Sequence, residues 1–271
     1  MKKQSFGERF SMARRAWIAP LAVAAVVACD EGLGPNARNE TWGFVTIAAA
    51  KTQSGQHVTA PEAFFFVGNL IGVPNAAIVL DSCADASYNP NNDLTGVEFL
   101  DAGVPLTLRM GGRTDTLPRV SGSSGITYKR SGDAIPYNPG DSVVVNIPGA
   151  LGGYPTAEIR GKTAEPFTLS PIVRPSGTDS MEVRWSLPHD QNSAMIVSLR
   201  YTNSSGAARQ VLCSFVDDGV AYIPFRQYQP WSNNGGRVED IVATRLRTTF
   251  RVVGNAVLEI ISTYQVPTPV P

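Results

Sequence analysis

From residue 42 onward, apolar residues come in short runs rich in Val, Ile, Thr and Phe, broken by Gly, Pro, Asn and Asp. No window of about a dozen residues carries a helical period, so the pattern predicts strands separated by turns. A first group covers 42–48, 63–67, 76–81, 97–100, 106–110, 114–117, 126–129, 142–147 and 156–159. A second covers 181–187, 195–201, 211–216, 220–225, 241–252 and 256–264. Within 181–187, Met181, Val183, Trp185 and Leu187 alternate with Glu182, Arg184 and Ser186, the signature of a strand with one face in water. Three tight hairpins are expected, at Gly111-Gly112, Asp217-Asp218-Gly219 and Gly254-Asn255, where glycine or asparagine reaches positive φ at low cost. A polar, proline-bearing break at 163–166 separates the groups, and Pro267, Pro269 and Pro271 read as a polyproline-like tail outside the core. The expected architecture is all-β: one β-sandwich at 41–165, an immunoglobulin-like one at 166–265, and a tail at 266–271.

The chain upstream has a different texture. Residues 16–29 form an apolar run preceded by Lys2, Lys3, Arg9, Arg14 and Arg15, with only Glu8 opposing them, and the run stops at Asp30-Glu31-Gly32. This is the layout of an export signal, too short for a membrane span of roughly 20 apolar residues. Its end, Val26-Val27-Ala28-Cys29, resembles the signal of bacterial lipoproteins, with valine where leucine is more usual. The resemblance implies cleavage before Cys29, lipidation of its sulfur and acylation of the new amino terminus. Residues 1–28 would then be a signal peptide and 29–40 a polar tether. The protein is expected in a bacterial cell envelope, partnered with a membrane through its lipid; the membrane and its face stay open. Ordinary secretion with a free Cys29 thiol is the competing reading.

Composition narrows the partners. The chain has 23 basic and 23 acidic residues; without residues 1–28 it keeps 18 and 22, a net charge of about −4. No basic run is present, which argues against nucleic acid as a partner. Cys83 and Cys213 either bridge in an oxidising compartment or sit apart as small buried residues. The separation between their expected domains favours the second arrangement.

No catalytic constellation emerges, no cofactor or metal is implied, and the chain reads as a non-enzyme. His57 and His189 lie in polar, loop-like surroundings, with only Asp190 beside His189. Gly140-Asp141-Ser142 superficially resembles the nucleophile block of GDSL-type hydrolases, but it follows Asn138-Pro139 and opens an apolar run, as a turn feeding a strand does. The aromatic stretch at 222–236 fits two arrangements. Phe225, Tyr228 and Trp231, with Asn233 nearby, could stack on a sugar or peptide, or cover an open sandwich end. Trp185, followed by a loop and a strand ending in Tyr201, gives 166–265 a spacing that resembles fibronectin type III or immunoglobulin domains. The expected role is binding of a glycan or protein, or scaffolding; a spacer or assembly subunit is the alternative, ahead of a hydrolase.

Overall fold

The computed structural model describes residues 41–52, 54–68, 80–88, 97–122, 125–130, 134–233 and 237–268. In chain order its first strands are β1 (Thr41–Lys51), β2 (His57–Thr59), β3 (Glu62–Val67), β4 (Ser82–Ser87), β5 (Glu98–Phe99) and β6 (Leu106–Met110). There follow β7 (Arg113–Leu117), β8 (Arg119–Gly122), β9 (Gly125–Lys129), β10 (Ile135–Pro136), β11 (Ser142–Ile147) and β12 (Ala157–Lys162). The remainder are β13 (Met181–Arg184), β14 (Ala194–Thr202), β15 (Ala208–Val216), β16 (Val220–Ile223), α1 (Phe225–Ser232), β17 (Arg237–Val253) and β18 (Ala256–Thr268). The described residues are all-β apart from that short helix.

One sheet takes twelve strands, nine of them in the order β4-β15-β14-β17-β18-β1-β3-β9-β8. At its centre β1 runs parallel to β18, from Thr41↔Ala256 to Ala49↔Tyr264, and antiparallel to β3. The sequence of β1 explains that position. Residues 42–49 are all buried, a run fit for a strand covered on both faces. A second sheet, β12-β11-β6-β7, and the pair β13-β16 belong with the inner face of the large sheet, and α1 contacts β14, β15 and β4. One core cluster joins Val45, Ile47 and Phe65 to Leu108 and Val145, and extends to Val183, Val197 and Trp231.

That core and the large sheet both cross residue 165, so the break expected there divides neither of them. The reason is long-range pairing: β1 closes against β18, and β4 lies beside β15 at the sheet edge. In that register Cys83 faces Cys213, and the two are joined by a disulfide with S–S 2.00 Å. The arrangement favoured from sequence, two separate thiols, gives way because the strands carrying them are neighbours rather than parts of separate domains.

Other expectations are revised locally. The Gly111-Gly112 and Gly254-Asn255 turns join paired strands as predicted. The turn at 217–219 does not: β15 stays in the large sheet, whereas β16 pairs with β13. The tail begins later than expected, because Val266, Pro267 and Thr268 continue β18 along β17. Proline fits there because β1 pairs with β18 only as far as Tyr264, leaving the last residues on an open edge. The alternation at 181–187 persists to the buried Trp185, but Leu187 is exposed. The strand expected at 76–81 lies outside the described residues except for Leu80 and Asp81, which form a turn.

Candidate functional site

Residues 225–232, within the aromatic stretch for which no helical period was expected, fold into α1, which puts Tyr228 and Trp231 on one side, three residues apart. Both are buried, at 2% and 0% exposure. The Tyr228 hydroxyl donates to the Asp179 carbonyl (2.7 Å), and the Arg174 guanidinium sits 5.6 Å from the centre of the Trp231 ring. Phe225 is half-buried, edge-on to Tyr228, and Asn233 is exposed just past the helix. Of the two arrangements open to Phe225, Tyr228, Trp231 and Asn233, the ligand-stacking platform is therefore not presented and the covering one is. The rings cap the inner face of β14 and β15 instead, since a buried aromatic gains more by excluding water than an exposed one.

The structure opens a different site at the end of the large sheet where β1 finishes. A cleft of about 790 Å³ is lined there by Lys51, His57, Phe167, Arg200, Asp240 and Tyr264, among others. That volume suits a small ligand. The Phe167 and Tyr264 rings meet edge to face, with centroids 6.2 Å apart. His57, which opens β2 rather than lying in a loop, has Nδ1 3.1 Å from the Tyr264 hydroxyl. Burial raises the Tyr264 pKa above its ordinary value, so the phenol stays protonated at neutral pH. Arg200, 5% exposed, places Nη1 3.5 Å from Asp240 and its guanidinium 4.6 Å from the centre of the Tyr88 ring. The cleft thus offers cationic, anionic and phenolic groups, while the Phe167 and Tyr264 rings in its lining are themselves buried, at 6% and 3% exposure.

The wall of the cleft is held by a buried ion pair. Arg245 Nε and Nη2 donate to the two Asp217 oxygens at 2.6 and 2.9 Å. Asp217 also accepts from Trp185 Nε1 (2.7 Å) and Ser193 Oγ (2.6 Å). Arg245 further donates to the carbonyls of Pro166 (3.0 Å) and Ser186 (2.6 Å), and lies 5.2 Å from the centre of the Phe167 ring. Every strong polar feature of the pair is satisfied, the condition under which a buried charge is tolerated. These bonds also explain the parting of β15 from β16, because Asp217 is drawn inward instead of shaping a hairpin.

The remaining candidates fall elsewhere. The His189 side chain is almost fully exposed, with Nδ1 2.9 Å from Glu165; neighbouring Asp190 bonds Arg247 (2.7 Å) and Lys162 (3.1 Å) instead. Gly140 sits in a turn at φ 69°, and Ser142 opens β11. Cys29 lies outside the described residues. Among the described residues no helix is long and apolar enough to cross a membrane, which says nothing of strands. No protein family and no curated protein matches the chain.

Sequence reasoning missed the cleft because its lining comes from β1, β2, β14, β17, β18 and the 166–169 segment, with no local motif. One hint was legible: strand alternation puts Arg245 on the face of Ile241 and Ala243, where a charge demands a partner.

Proposed function

We propose that this is a non-catalytic, lipid-anchored protein of a bacterial cell envelope that binds a small polar ligand in the cleft at the sheet end. The observation that carries the reading is the course of β1. It begins at Thr41, directly after the tether expected at 29–40, and ends at Lys51 on the cleft rim. Eleven residues of strand separate the two by roughly 35 Å. An anchor at Cys29 would join the fold at the end of β1 opposite to the cleft. The polar groups in the cleft lining, Lys51, His57 and the Arg200–Asp240 pair, suit the hydroxyls of a sugar. A binding role is favoured over hydrolysis because the histidine side chains bond a phenol and a carboxylate rather than a nucleophile.

The test is calorimetry on the full chain with chitotetraose, an N-acetylglucosamine oligomer, as probe. Saturable binding by the parent, weakened at least about tenfold by Phe167→Ala or Asp240→Asn, supports the reading. Binding unaffected by both variants, or absent in the parent, overturns the glycan ligand. Intact mass tests the anchor: acyl groups on a chain beginning at Cys29 support it, and an unacylated chain retaining residues 1–28 removes it.

The spacer or assembly reading has one observation of its own, the burial of Tyr228 and Trp231, which removes the aromatic platform and leaves α1 as a structural cap. An immunoglobulin-like or fibronectin-like character for 166–265 rests on the spacing of Trp185 and Tyr201 alone.

A further inference from the structure

The end of the sheet where β1 begins gathers exposed apolar side chains. β14 starts at Ala194, opposite Leu246, so β17 runs on from 247 to 253 with β18 as its neighbour and no β14 beside it. Strand alternation turns Phe250 and Val252 to one face of this extension, where they are 55% and 64% exposed. Leu151, at the tip of the turn at 149–154, is fully exposed. The same turn is tied to this end of the sheet, because the Tyr154 hydroxyl donates to the Val257 carbonyl at 3.1 Å. Val257 in turn is registered with Val252 on one side and Trp42 on the other.

Apolar residues exposed singly are ordinary, and Val173, Leu187 and Tyr222 are of that kind. What distinguishes Leu151, Phe250 and Val252 is that all three lie at the end of the sheet where the chain enters the fold, Phe250 and Val252 on one face of β17 and the 149–154 turn by the other. Thr41 is registered with Ala256, immediately after the Gly254-Asn255 turn, so the chain enters the fold at the tip of this hairpin. Cys29 lies twelve residues earlier, a span of at most about 40 Å even when fully extended. Arg251, exposed between Phe250 and Val252 in sequence, turns to the opposite face, where its Nη1 donates to the Glu158 carbonyl and ties β12 to this end of the sheet.

We infer that this end of the protein rests on the bilayer, with Leu151, Phe250 and Val252 entering its interfacial layer. The inference rests on the anchor proposed at Cys29. Acylation would hold the hairpin close to lipid, and the apolar tips would fix the orientation of the molecule there. The β17–β18 tip is then the footing of the molecule and the cleft its outer end.

The experiment uses the full chain, processed in its bacterial host and reconstituted into vesicles of phosphatidylethanolamine and phosphatidylglycerol with brominated acyl chains. Phe250→Trp and Leu151→Trp are each compared with the parent, whose described tryptophans, Trp42, Trp185 and Trp231, are buried. Quenching at least about twofold above the parent at either position supports the inference. An acylated protein whose added tryptophans are quenched no more than the parent's overturns the inference and leaves the anchor standing. An unacylated protein, identified by intact mass, overturns the anchor and the inference with it. Using two positions guards against one variant failing to fold.

Discussion

Two buried charged sites in the large sheet, toward its opposite ends, handle polarity in opposite ways. At the cleft end, the buried charges of Arg245 and Asp217 meet a full set of partners: two bonds between them, two further donors to the carboxylate and two carbonyls for the guanidinium. Toward the other end, Glu259 is 1% exposed, registered between Phe44 and Phe250, and its Oε1 has no hydrogen-bond partner among the described residues. Burial raises its pKa well above the ordinary carboxylate value, so protonation rather than pairing makes the site tolerable. A satisfied network fixes the Arg245–Asp217 site beside the cleft, although Arg200 Nε and Gln265 Nε2 in the cleft lining are buried without a hydrogen-bond partner among the described residues. An unsatisfied acid makes the Glu259 site sensitive to its medium.

The comparison breaks most severely at Arg245. Replacing it with alanine strands the Asp217 carboxylate, and denaturant unfolding should show a loss of about 3–5 kcal/mol. Cleft binding should fall with it, because the Pro166 and Ser186 carbonyls and the Phe167 ring lose their shared contact. Next comes the disulfide, which ties two strands 130 residues apart. Replacing Cys83 and Cys213 by serine should cost about 2–4 kcal/mol, read as an earlier denaturant midpoint. At the tether end, Gly43→Ala should cost about 1–3 kcal/mol, since its Cβ would come within 2.7 Å of Phe65 and 2.9 Å of Tyr154.

Glu259 sharpens the contrast through pH. Its folded-state pKa is raised, so the folded protein keeps a proton that the unfolded chain loses first. Its contribution is therefore fully present below the ordinary value of 4.5 and is lost as pH rises through the folded-state pKa. Unfolding series across that interval should show stability declining in the parent and a flatter profile in Glu259→Gln. The smallest stability effect belongs to Phe250→Asp with Val252→Asp, which should shift unfolding by less than about 0.5 kcal/mol because both side chains are exposed. If that pair unfolds the protein, the hairpin tip is a structural element rather than a footing.

Much of the strand inventory was legible locally. Val143, Val144 and Val145 after a glycine turn mark β11 at its observed bounds, and Leu106–Met110 before Gly111-Gly112 marks β6. What escaped was short or compositionally weak. β4 reads Ser-Cys-Ala-Asp-Ala-Ser, with no apolar alternation, and is a strand because β15 supplies its partners. α1 escaped because eight residues containing Pro230 show no usable helical period, yet packing against β14 and β15 holds them helical. Of the candidate site, the individual aromatics were visible but their direction was not. A ring that could stack on a sugar and one that plugs a core have the same local sequence.

By itself the sequence determined that this chain is built from strands, where most of them run and which turns are tight, because alternation and glycine placement act over a few residues. Tertiary structure decided which strands lie side by side: β1 against β18, β4 against β15, β16 away from β15. Backbone ladders form through groups common to every residue, so local pattern says which side chains share a face but not whose edge comes next. The bridge between Cys83 and Cys213, the burial of Trp231 and the lining of the cleft all follow from that order of strands.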